Sequence, residues 1–164
     1  MQRDSGRHRH DNDRRFSVVS NPAHWERNMA TIYQEFVVEA PAQFVWEAIK
    51  DVGAVHRRLA QGFVTGTELR DRERTVTFAN DVVVREKIIG VNDDVRRLSY
   101  CVVGGPAAHH NASFQVFPTG PQQSRVLWIT DLLPDDMQAP IGHMVERGAQ
   151  AIKQTLERSY ATAQ

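Results

Sequence analysis

Residues 98–104, LSYCVVG, and 109–118, HHNASFQVFP, decide the fold. Successive strand residues point to opposite faces, so alternation sorts each stretch into two sets of side chains. In the second stretch His110, Ala112, Phe114 and Val116 share one face, and Asn111, Ser113 and Gln115 share the other. In the first, Leu98, Tyr100 and Val102 fall together, opposite Cys101. The two stretches therefore read as neighbouring strands with one apolar side, joined through Gly105-Pro106-Ala107-Ala108. His110 lies on that apolar side, beside a glycine-rich loop able to open or close. This combination marks a ligand pocket more clearly than it marks a reaction.

Working outward, residues 31–39 (TIYQEFVVE) suit a strand, and Pro41 stands where a helix accepts its first residue. A short helix is predicted over 41–51, with Phe44, Val45, Ala48 and Ile49 as its apolar stripe, and Gly53 stops it before a second short helix near 54–60. Three strands follow at 63–69, 75–79 and 82–91, with Asn80-Asp81 and Asn92-Asp93-Asp94 supplying turns around the third. After the opening pair, Gly120-Pro121 turns the chain into a strand at 124–132. A long helix then runs from about Met137 or Pro140 to Arg158, with Ile141, Met144, Val145, Gly148, Ile152 and Leu156 recurring at three and four residues. The apolar stripe requires a surface to lie on, and the sheet is the one available. One strand, two short helices, six strands and one long helix make an α+β arrangement, a seven-stranded antiparallel sheet with its helices gathered on one side.

The chain's 164 residues and 41% hydrophobic content suit one domain with a core of ordinary size. Twenty Lys+Arg balance twenty Asp+Glu, so no charge excess draws nucleic acid or an anionic membrane surface. No apolar run reaches the roughly 18 residues of a membrane span, and the N-terminus lacks the apolar centre of a signal peptide, so membrane insertion is not expected. A lone Cys101 forms no internal disulfide, which fits a cytoplasmic location and leaves the Asn111-Ala112-Ser113 sequon unglycosylated. Residues 1–29 read as a flexible tail, rich in Arg, Asp, His, Ser and Asn; Met29, just ahead of the first patterned segment, is a candidate start. His8 and His10 in that tail lack further ligands at metal-site spacing, and neither a metal nor any other cofactor is expected. HExxH, CxxC, GxSxG and phosphate-cradling glycine motifs are all missing, so metal hydrolysis, thiol redox, serine hydrolysis and nucleotide binding have no support.

Three segments stand out together: VVEAPAQFVWEAIKDVGAV at 37–55, VVVREKIIGVNDDVRRLSYCVVGGP at 82–106 and HHNASFQVFP at 109–118. They resemble the helix-grip superfamily known as SRPBCC (START and birch-pollen-allergen-like proteins), most of all its bacterial polyketide cyclase/dehydrase branch. The resemblance implies a curved sheet wrapped around the long C-terminal helix, as a ligand-binding domain over residues 30–160. Val102-Val103-Gly104-Gly105 is similar to the latch of the plant abscisic-acid receptors, which implies a mouth lined by Gly104, Gly105 and Pro106. The latch's His-Arg-Leu is replaced by Ala107-Ala108-His109, and hormone signalling is not carried over. The receptors' pocket glutamate falls on Glu86, and their aromatic hydroxyl falls on His110. Parity agrees for Glu86, which shares a face with Val82, Val84 and Ile88.

Glu86 and His110 are thus the candidate polar pair. Burial raises a carboxylate's pKa and lowers a histidine's, while proximity favours both charged forms, so such a pair can move a proton near neutral pH or simply orient a ligand. Tyr100 can add its hydroxyl. The expected apolar lining comprises Phe63, Phe78, Val84, Val102, Ala112 and Phe114 from the sheet side, with Met137, Ile141, Met144 and Gly148 from the helix side. Trp46 is expected to pack between the first helix and the sheet, and Trp128 is ambiguous because both faces of 126–130 are apolar. His56, next to Arg57 and Arg58, reads as part of a solvated face, and neither His143 nor Cys101 is given a role. The leading expectation is a binder of a small hydrophobic molecule such as a lipid, polyketide or aromatic metabolite, with a homodimer left open. One alternative is a polyketide cyclase, aromatase or dehydratase using Glu86 and His110 as acid and base. Another is a protein-interaction module with a vestigial cavity.

Overall fold

The computed structural model describes residues 29–164; the tail and its His8 and His10 lie outside the described residues. Strand β1 (Ala30–Val38) leads into helix α1 (Ala42–Ile49) and a π-helical turn at Val55–Leu59. Six strands follow: β2 (Val64–Arg70), β3 (Glu73–Phe78), β4 (Val83–Asn92), β5 (Arg97–Val102), β6 (His109–Gly120) and β7 (Gln123–Leu133). A 3-10 turn at Asp135–Met137 then starts helix α2 (Gln138–Thr162). All strands pair antiparallel in one sheet of order β1-β7-β6-β5-β4-β3-β2. This is the expected α+β helix-grip arrangement. The strands from β2 to β7 form a meander, and α1 with the π-turn carries the chain from one sheet edge to the other.

Alternation places the core. Along β6, Ala112, Phe114 and Val116 are buried, and their register partners Thr130, Trp128 and Val126 on β7 are buried with them. Directly opposed residues share a face, so this register settles Trp128 on the inner side, where its ring stacks on Phe114 at 4.5 Å between centroids. Helix α2 covers that face with Val145, Gly148, Ala149, Ile152 and Leu156. A Cβ on Gly148 would stand only 3.0 Å from Trp128 and 3.2 Å from Phe63, so a residue without a side chain lets the helix approach. Trp46 is fully buried, as expected of it, and its indole N–H donates to Asp93 in the β4–β5 turn at 2.7 Å.

Several boundaries differ from expectation for local reasons. Strand β5 ends at Val102 rather than 104 because Gly104 and Gly105 both take positive φ, 78° and 87°, a region that suits glycine. Strand β3 begins at Glu73, two residues early, since Arg74 pairs with Glu86 across the ladder. Helix α2 runs on to Thr162, held by Tyr160, whose ring packs on Phe44 at 5.0 Å and whose hydroxyl donates to Gln122 at 2.6 Å. The turn chemistry behaves as read: Asn80 Oδ1 accepts from the Val82 N–H, and Asn92 Oδ1 accepts from Asp94 and Val95. No helix among the described residues is long and apolar enough to cross a membrane.

Candidate functional site

Between the inner face of the sheet and α2 lies a cavity of about 320 Å³. Its mouth is at the end where the β3–β4, β5–β6 and β7–α2 connections meet, at Val82, Gly104, Gly105, Pro106 and Met137. The sheet contributes Phe78, Val84, Glu86, Tyr100, Val102 and His110, and Phe63 enters from the residue before β2. Helix α2 contributes Ile141 and Met144. A smaller space of about 50 Å³ adjoins it, sharing Phe63, Phe78, Glu86, Tyr100 and Trp128, and continues the cavity inward past Arg74.

Thirteen of the residues singled out in the sequence thus line the main cavity, and three do not. Phe114 and Gly148 line the inner extension instead. Ala112 is buried but walls neither space, since its single methyl stands between the larger cross-strand neighbours Tyr100 and Thr130. Lining residues outside the expected set include Val83, Arg85, Val103, Ala107, Thr130 and Val145, and Trp128, whose direction the sequence leaves open, joins them. Val145 belongs to the apolar stripe of α2 and was recoverable from it.

The polar centre differs most from expectation. Glu86 is 7% exposed, and its partner is Arg74, whose Nε–H donates to Glu86 Oε2 at 2.6 Å. Arg74, itself 4% exposed, also reaches the Val52 carbonyl at 3.4 Å and lies 5.0 Å from the Tyr100 ring centroid. The expected Glu86–His110 pairing is replaced for a geometric reason. Glu86 stands opposite Val102, and continuing the β5–β6 register by one residue places His110 on the far side of Val102. Adjacent strands are about 4.8 Å apart, so the two backbones are separated by roughly 10 Å, whereas Arg74 is the immediate neighbour of Glu86. Arg74 shares parity with Val76 and Phe78, the signal that could have revealed it.

Burial and the nearby His109 push the His110 pKa below its ordinary value, so near neutral pH the ring is uncharged. Burial, reinforced by the charge of Glu86, pushes the Tyr100 phenol well above its usual range and keeps it a neutral donor and acceptor. Trp128 Nε1 and Thr130 Oγ1 are buried without hydrogen-bond partners among the described residues. Away from the cavity, His56 is half-buried rather than solvated, with Nδ1 closed off from solvent, while Arg57 and Arg58 beside it are exposed. His143 is exposed, and Cys101 is half-buried on a residue of outward parity. Among the described residues no group of three or more His, Cys, Asp or Glu side chains is placed to hold a metal ion.

Residues 29–163 match the family described as polyketide cyclase / dehydrase and lipid transport. The chain belongs to that family. Through it the chain falls in the SRPBCC superfamily, and solved structures agree on the fold. The protein XoxI from Bacillus cereus superposes with a TM-score of 0.69 at 19% identity, covering 77% of this chain and 95% of its own. Truncated norcoclaurine synthase from Thalictrum flavum gives 0.63 at 20% identity, covering 77% and 92%. A START superfamily protein from Mycobacterium smegmatis gives 0.63 at 12% identity, covering 84% and 99%. At these identities the likeness concerns the fold. None of the curated proteins compared matches the chain in sequence.

Proposed function

We propose that this protein binds one small hydrophobic molecule in the cavity between its sheet and α2. The observation that carries the reading is the cavity itself: about 320 Å³, within the roughly 300–1,000 Å³ of small-molecule sites, with largely apolar walls and a few convergent polar groups. Methionines 137 and 144 on the helix side adapt their shape to a guest, and the paired positive-φ glycines permit the mouth loop to change conformation. The family's span of cyclase, dehydrase and lipid-transport roles is compatible with such a pocket. An acid/base role for Glu86 and His110 receives less support, because Arg74 occupies the carboxylate.

The test is titration with the uncharged fluorescent probe N-phenyl-1-naphthylamine, paired with native mass spectrometry. One saturable site per chain is expected, abolished or weakened at least about tenfold by Val84→Phe, which fills the wall from β4. Absence of saturable binding in the unmodified protein, or unchanged binding in the variant, contradicts the proposal.

A further inference from the structure

The walls also carry information about the polar end of the guest. Two arginines reach the cavity system, and both are engaged. Arg85 is exposed and paired with Glu73 at 3.1 Å, while Arg74 lies under the inner extension with its Nε–H on Glu86. No lysine lines either space, and His110 is uncharged near neutral pH. On the acceptor side, Glu86 Oε1 makes no hydrogen bond among the described residues, although its twin oxygen is held by Arg74 and the residue lines both spaces. The Tyr100 hydroxyl lies on the same wall, beside the Trp128 indole N–H. Trp128 and Thr130 offer only uncharged groups, and their polar atoms have essentially no accessible area.

We infer that the cavity selects apolar molecules whose polar end is an uncharged hydroxyl, a phenol or alcohol, and rejects those ending in a carboxylate. This rests on the binding reading above and specifies its ligand class. A hydroxyl gives its proton to Glu86 Oε1, a charge-assisted hydrogen bond stronger than a neutral one. Because Arg74 fixes the carboxylate from the other side, the acceptor is already oriented and little ordering is needed on binding. A carboxylate in the same place meets that oxygen as a like charge, and the Arg74–Glu86 pair is neutral as a unit. With no unengaged cation among the described lining residues, a buried carboxylate has nothing to replace its lost hydration.

The experiment displaces N-phenyl-1-naphthylamine at pH 7 with three molecules of one ring system: naphthalene, 2-naphthol and 2-naphthoate. The expected order is 2-naphthol tightest, naphthalene weaker, and 2-naphthoate at least about tenfold weaker than 2-naphthol. In the double variant Arg74→Met/Glu86→Leu, the advantage of 2-naphthol over naphthalene is expected to disappear while naphthalene still binds. Naphthoate binding as tightly as naphthol, or naphthol no better than naphthalene, overturns the inference and leaves the cavity reading standing. Retention of the naphthol advantage in the double variant also overturns it. Failure of the probe and of naphthalene to bind removes the cavity reading itself. Should the double variant not fold, the ranking in the unmodified protein decides.

Discussion

Replacing Arg74 by methionine removes the cation from a buried ion pair and leaves Glu86 with an unshared carboxylate against apolar walls. The two side chains are 4% and 10% exposed and meet at 2.6 Å, so solvent screening discounts the interaction little. With about 4 Å between charge centres and an effective dielectric near 20, the attraction is about 4 kcal/mol. Breaking one side of such a pair typically destabilises by about 3–5 kcal/mol, because the surviving charge must stay buried or take up a proton. Against a total stability of about 5–15 kcal/mol, Arg74→Met should therefore move the urea midpoint far down at pH 7. Arg74→Met/Glu86→Leu removes both charges and should recover most of that loss, giving a coupling of at least about 2 kcal/mol in a double-mutant cycle. A single variant within about 0.5 kcal/mol of the unmodified protein, or additive losses in the double variant, would refute the claim that this pair is buried and mutually dependent.

Two further outcomes follow from the same geometry. His110 has a folded pKa below its unfolded value of 6.5, so it adds stability that is present above that value and is lost as pH falls through the folded pKa. Urea unfolding between pH 7 and 5 should show stability declining toward acid, and His110→Asn should remove part of the slope; an unchanged slope counts against the buried neutral imidazole. Gly148→Leu forces a branched side chain against Trp128 and Phe63, and should destabilise by about 1–3 kcal/mol in thermal or urea unfolding, where a neutral effect would mean the helix stands further from the sheet than described.

Most of the architecture is legible in side-chain alternation. The inward set of β6 follows from residues 109–118 alone, and the burial of Ala112, Phe114 and Val116 agrees with it. Trp128 was not legible, because Val126 and Thr130 on one side face Leu127 and Ile129 on the other. Only the register with β6, a relation between strands, fixes its direction. Arg74 stands in RDRER, five consecutive charged residues at 70–74 ahead of the strand expected at 75–79. Glu86 was identified by resemblance and parity, yet its partner depends on which strand adjoins β4. Alternation tells which face a residue occupies, whereas the identity of a polar partner depends on cross-strand distance and on the competition among neighbours within reach.

A guest that enters between the sheet and α2 perturbs the nuclei lining that space, and chemical shifts map where it goes. Amide and methyl chemical shifts of isotope-labelled protein should be followed during titration with 2-naphthol. Saturable changes are expected at Val84, Val102, Ile141 and Met144, together with the mouth at Gly104–Ala107, while exposed β4 residues of outward parity such as Lys87 and Ile89 stay still. Changes confined to the outer face of the sheet, or no saturable change at all, would contradict entry between the sheet and α2.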